Sequence, residues 1–138
     1  MLAENTVLTG RRAITRSYAK INLTLDVLSK RENGYHDIKM IMQTVSLFDL
    51  ILVDKTHKGI SISTNLPYLP CNEKNIAYKA ADAFFKATGI RGGAKIVIHK
   101  NIPVAAGLAG GSGNCAAVLT AMNMLHGNPL SNDELMHI

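Results

Sequence analysis

The sequence predicts an α/β fold of the α+β kind, with strands filling the first half and helices most of the second. Three observations carry this. Ile21, Leu23, Leu25 and Val27 alternate with Asn22, Thr24 and Asp26, the period of a half-buried strand. Ile76, Ala77, Ala80, Ala81, Phe84 and Phe85 recur at the spacing of one helix face. Between a strand-like run ending at Lys100 and a helix-like run from Cys115 lies a segment holding Gly107, Gly110, Gly111 and Gly113.

Taken in order, the first strand spans residues 17–30, and Asn33-Gly34 beyond it is a strong turn signal. Extended runs at 35–47, 50–54 and 60–64 make the first half an antiparallel meander or a set of hairpins. Pro67 and Pro70 mark residues 65–72 as loop. Asn75 is placed to cap a helix that stops at Thr88-Gly89. Gly92-Gly93 break the chain, and 94–100 is a strand whose Ile96 and Ile98 alternate with Lys95, Val97 and His99. The next helix puts Cys115, Val118, Leu119, Met122 and Leu125 on one face and ends at Asn128-Pro129. Ser131 and Glu134 form a capping box that opens another helix, and the chain stops at Ile138. The expectation is one domain over residues 1–138, cut short.

Composition bounds the function. Apolar residues are 47% and charged residues 18% of 138, a globular balance. No apolar run reaches the roughly 18 residues of a membrane span, and residues 1–10 lack a signal-peptide pattern. Two cysteines, Cys71 and Cys115, without a CxxC spacing, point to a reducing cytoplasm. The net charge of +5 fits an anionic ligand. The basic residues are scattered, densest at Arg11, Arg12 and Arg16, and aromatics are only 5%. A nucleic-acid platform would interleave the two, so a solvated basic surface is the better reading. The Met residues Met40, Met42, Met122 and Met124 read as core fillers. His57, His99, His126 and His137 show no ligand spacing, so no metal is assigned to the protein itself.

The strand, glycine-rich segment and helix together suit a phosphate. Glycines let the backbone bend and approach a ligand closely, and the first N–H groups of a helix form an anion site. It is not a Walker A loop, because no Lys-Ser or Lys-Thr follows the last glycines. Gly111 to Ala116 matches GxGxxA, but ten residues separate Gly111 from Lys100, where a dinucleotide fold has its glycine directly after the strand.

Ile102-Pro-Val-Ala-Ala-Gly-Leu-Ala-Gly-Gly-Ser112 resembles the phosphate loop of the GHMP kinases, Pro-x-x-x-Gly-Leu-x-x-Ser. Ala19-Lys-Ile-Asn-Leu23, Arg31-Glu-Asn-Gly-Tyr-His36, Met42-Gln-Thr44 and Leu47-Phe-Asp49 resemble, in order, the stretches that precede it in the branch acting on a cytidine-diphosphate-linked methylerythritol. Gly113 and Asn114 depart from the family's usual Ser, Thr or Ala and Asp. The resemblance implies a two-layer sandwich of the ribosomal protein S5 domain 2 type, a mostly antiparallel sheet under helices with a left-handed βαβ crossover.

It also implies roles. Lys20 is the catalytic lysine, and Asn22, Tyr35 and His36 contact the substrate, with the Tyr-His pair receiving the cytosine. Pro103, Val104, Ala105, Ala106, Gly107, Leu108, Ala109, Gly110, Gly111, Ser112, Gly113 and Asn114 cradle the ATP phosphates, and Asn75 and Lys100 line the nucleotide pocket. ATP is the implied cofactor, with Mg²⁺ bound to it, and the cytidine-linked sugar alcohol of isoprenoid precursor synthesis is the implied acceptor. The family's catalytic Asp motif and second domain would lie past residue 138, which implies that this chain alone does not catalyse and that an exposed apolar face favours self-association. Three other readings stay open: a non-catalytic nucleotide-binding module, a kinase of another alcohol within the family, and a nucleic-acid binder.

Overall fold

The computed structural model describes residues 3–138. After a short 3₁₀ turn, Ala3–Asn5, come β1 (Thr6–Thr9), β2 (Arg12–Lys30), β3 (His36–Thr56), β4 (Gly59–Thr64), α1 (Ile76–Thr88), β5 (Gly93–His99), α2 (Gly110–Leu125) and α3 (Asn132–Met136). The strands form one sheet in the order β1-β2-β3-β5-β4. All pairings are antiparallel except β4 with β5, which the chain joins through α1 in a parallel crossover.

Two layers bury one core. Ile51, Val53, Ile62, Ile96 and Ile98 of the sheet meet Phe84 of α1 and Val118 and Met122 of α2. The inward residues of β2, Ala13, Thr15, Ser17 and Ala19, are small, and all are almost fully buried. Small side chains there let α2 lie close to the strand: a Cβ built on Gly113 would stand 2.5 Å from Ser17 Oγ. Asn75 caps α1 as the sequence implies, its Oδ1 accepting from the Ala77 N–H at 2.9 Å. Gly89 closes that helix in the left-handed conformation at φ 67°. Ser131 and Glu134 make the expected capping box of α3.

Four expectations need correction. The runs at 35–47 and 50–54 are one strand, β3, and β1 was not foreseen. The alternation at 21–27 does not mark a half-buried strand: every residue from Ile21 to Lys30 is exposed, on both faces. This part of β2 pairs only with β3, as a ribbon extending beyond the two-layer core, and register breaks between Tyr18 and Lys20, Asn22 and Thr24, and Val27 and Ser29 interrupt its alternation. Met42, on the ribbon, is 60% exposed and fills no core, whereas Met122 is buried. Gly93 does not break the chain; it opens β5, paired with Thr56 on one side and Gly59 on the other.

Candidate functional site

The glycine-rich segment joins the end of β5 to the start of α2, and α2 begins inside it, at Gly110. The backbone is held in a conformation L-residues avoid: φ is 58° at Ala105, 72° at Gly107 and 61° at Ala109. Two alanines in the left-handed region each cost about 1–2 kcal/mol, a strain retained where the surroundings over-determine the loop. Ala109 is the N-cap and offers no side-chain acceptor. The first helical bond is donated by Gly113 N to Ala109 O at 2.8 Å, so the N–H groups of Gly110, Gly111 and Ser112 have no partner within the helix. A 16-residue helix with an uncapped N-terminus presents its positive dipole end here.

This loop is docked onto β2 at one point. At the register break beside Ala19, the Lys20 N–H donates to Leu108 O at 3.2 Å. The fold therefore brings Lys20 to the glycine-rich loop although Gly107 lies 87 positions further along the sequence. The Lys20 ammonium donates to Asn22 Oδ1 at 3.1 Å, which places both side chains on one face of the strand. Tyr35 and His36 lie elsewhere, at the turn closing the ribbon. Thr44 pairs with Lys20 and His36 with Lys30, so eight residues of β3 separate the two places, a path of about 26 Å along a strand. An Asx turn shapes that tip, with Tyr35 N donating to Asn33 Oδ1 at 3.1 Å, and Tyr35 is 74% exposed.

Beside the loop opens a cavity of about 310 Å³, lined by Lys74, Asn75, Lys100, Val104, Gly111 and Asn114 among others. Of these, Asn75 and Lys100 were expected to line a nucleotide pocket and Val104, Gly111 and Asn114 to cradle phosphates; Lys74 was not foreseen. Asn114 is buried, and its Oδ1 has no hydrogen-bond partner. Buried polar atoms are rarely left so. Three free N–H groups and basic Lys74 suit an anion, the orphaned Asn114 Oδ1 suits a donor beside it, and no carboxylate lines the cavity. A divalent cation would therefore enter with its anion, with the exposed Ser112 hydroxyl the side-chain oxygen nearest the helix start. Among the described residues no group of His, Cys, Asp or Glu is arranged to hold a metal by itself. A larger recess, about 790 Å³, lies along α2 and α3 between Cys115, Leu119 and Leu135, with no charged side chain in its lining. Burial pushes the Cys115 thiol above its usual range, which makes it a poor nucleophile.

Besides Lys74, sequence reasoning missed the roles of two residues. Asp49, fully buried, accepts from the N–H groups of Asn101 and Ile102 and pairs with Lys100. Asn65 holds the Lys100 backbone from both sides, accepting from its N–H at 2.7 Å and donating to its carbonyl at 3.1 Å. The available signal was Asp49 itself, which closes the Leu47-Phe-Asp49 stretch and opens the apolar run of 50–53. Lys100 keeps its expected place on the cavity wall, but its ammonium is turned to Asp49.

No helix among the described residues is long and apolar enough to cross a membrane. Residues 75–138 match the family described as GHMP kinases N terminal domain. A 4-diphosphocytidyl-2-C-methyl-D-erythritol kinase of Clostridium botulinum (strain Alaska E43 / Type E3) is 50% identical over 123 residues, which is 89% of this chain and 44% of the relative. Its counterpart in Caldicellulosiruptor saccharolyticus is 51% identical over 126 residues, 91% of this chain and 43% of the relative. The chain thus spans less than half the length of the curated relatives it matches. The crystal structure of a 4-(cytidine 5'-diphospho)-2C-methyl-D-erythritol kinase superposes with a TM-score of 0.79 at 35% identity, over 90% of this chain and 44% of that one. Methanococcus jannaschii mevalonate kinase, at 18% identity and a TM-score of 0.66, shares the fold. With the loop, the sheet and the relatives in agreement, residues 75–138 carry the N-terminal domain of the GHMP kinases.

Proposed function

We propose that this chain forms the ATP side of a kinase that phosphorylates a hydroxyl of 4-diphosphocytidyl-2-C-methyl-D-erythritol. The observation that carries the reading is the bond from Lys20 N to Leu108 O, which fixes a phosphate-type loop against the strand bearing Lys20. ATP would lie with its phosphates on the free N–H groups of Gly110, Gly111 and Ser112 and its remainder toward Asn75 and Lys74. Mg²⁺ would arrive on the phosphate oxygens. Phosphoryl transfer draws mainly on positioning and charge stabilisation. The Lys20 ammonium, held by Asn22, would offset negative charge developing on the acceptor hydroxyl and the transferring phosphoryl group. Tyr35 and His36 would take the cytosine at the ribbon tip, with the substrate's diphosphate bridging toward Lys20.

The test is transfer from ATP to the cytidyl compound, to mevalonate and to homoserine by this chain carried at its relatives' full length. Transfer to the cytidyl compound alone, lost on Lys20→Ala, supports the reading. Transfer to mevalonate or homoserine with none to the cytidyl compound refutes the substrate.

The ribbon supports a second part of the proposal. Leu23, Leu25, Val27, Leu28, Ile41 and Met42 are each more than half exposed, and both outer edges of the ribbon are unpaired. Open edges with apolar side chains invite strand pairing between copies. Sedimentation velocity of the 138-residue chain should show a mass that rises with concentration, and Val27→Lys should suppress the rise. A monomer at every concentration would contradict it.

A further inference from the structure

We propose that the buried Asp49–Lys100 pair is a positioning device for the glycine-rich loop, fixing both ends of the loop at once. One carboxylate holds the entry: Asp49 Oδ1 accepts from Asn101 N at 2.7 Å and from Ile102 N at 2.8 Å. Its Oδ2 accepts from Lys100 Nζ at 2.7 Å. The ammonium continues from there, donating to Ile102 O at 2.6 Å. It also reaches the exit, because a Cβ on Gly110, the first residue of α2, would stand only 2.8 Å from Lys100 Nζ. Entry and exit of the loop therefore rest on one pair of charges whose side chains are 6% and 0% exposed.

The placement has a physical reason. β5 ends at His99, so the N–H groups of Asn101 and Ile102 have passed the end of the ladder and have no strand to receive them. An unpaired buried N–H costs as much as a lost hydrogen bond. A carboxylate accepts two such bonds at once, and the lysine beside it balances its charge. Apolar residues of similar volume often replace a buried ion pair without loss of stability. What they cannot replace here is the direction the pair gives to the backbone at residues 101 and 102, with the ammonium packed against Gly110. Asp49 and Lys100 thus act through the loop, as positioning residues.

The role for a ligand rests on the reading of this loop as a phosphate site, so the test has a readout that needs no ligand. Asp49→Asn leaves the Lys100 charge buried without its counter-ion and is at risk of not folding. The double variant Asp49→Val/Lys100→Met removes both charges and stays close to the original volume. Amide hydrogen exchange is measured on it and on the unaltered chain, at Gly113, whose N–H bonds Ala109 O at the loop exit, and at Lys20, whose N–H reports the docking of Leu108. The expected result is exchange faster by on the order of tenfold at these two amides, with Ile96 and Val118 in the core unchanged. Wild-type rates at Gly113 and Lys20 would overturn the proposal. Calorimetry with ATP and Mg²⁺ on the same samples separates the two readings. The double variant should bind about tenfold more weakly than the unaltered chain. If the unaltered chain binds no nucleotide while the exchange result holds, the phosphate reading fails and the pair stands as the device that orders the loop.

Discussion

Gly93→Ala is expected to destabilise the fold by about 3 kcal/mol, the upper range for forcing one extra carbon into a packed site. The cause is steric alone, since Gly93 does not have a positive φ. It opens β5 beneath the turn from β3 to β4, and an added Cβ would stand 2.3 Å from Gly59 O, 2.3 Å from the carbonyl carbon of Lys58 and 2.5 Å from Thr56 Oγ1. The threonine hydroxyl can rotate away. The other two atoms are backbone and can move only with the turn. Gly92, one residue earlier, is the control: its Cβ would meet nothing closer than Phe85 Cε1 at 3.6 Å. Urea unfolding should show a large fall in midpoint for Gly93→Ala and a change within about 0.5 kcal/mol for Gly92→Ala. Similar midpoints for both would show that the β3–β4 turn does not sit where described.

Gly111→Val should separate binding from stability. A Cβ at Gly111 meets nothing within 4 Å, and its φ is not positive, so the fold tolerates the change. The residue lines the 310 Å³ cavity and carries one of the free N–H groups at the start of α2. A branched side chain there keeps an anion away from those donors. Affinity for ATP with Mg²⁺ is expected to fall on the order of ten- to a hundredfold, about 1.4–2.8 kcal/mol, with an unchanged unfolding midpoint. Gly110→Ala differs in kind, because its Cβ would strike Lys100 Nζ at 2.8 Å and should disturb both affinity and stability. Unaltered affinity in Gly111→Val would place the ligand elsewhere.

What the sequence made legible was local. Asn75 and the Ser131–Glu134 box announce their helices because a cap is a short-range bond between neighbours. Ile96 and Ile98 reveal β5 because that strand does have one buried face. The same alternation at 21–27 misleads, since a period of two gives a strand its faces but does not supply anything to pack on them. The start of α2 was placed too late because glycines count as breakers, whereas in a helix's first turn their freedom and small size are tolerated. The insertion of β5 between β3 and β4 depends on pairing between distant segments, which no local pattern records.

The candidate site divides in the same way. Its glycine loop and Asn75 were legible from residue type and spacing, and Lys20 from its motif. Asp49 was hidden, since its partners Lys100, Asn101 and Ile102 lie 51 to 53 residues away. Lys74 was also missed, a lysine on a loop like many others until the fold sets it on the cavity wall.

The central claim, that this loop holds the phosphates of ATP beside Lys20, is tested most directly by titrating the chain with a non-hydrolysable ATP analogue and Mg²⁺ while following backbone amide shifts. Saturable shifts are expected at Gly110, Gly111, Ser112 and Asn114, with Asn75 and Lys20 moving at the same ligand concentration. Saturable shifts confined to other parts of the chain, or no shifts at millimolar analogue with the fold intact, would contradict it.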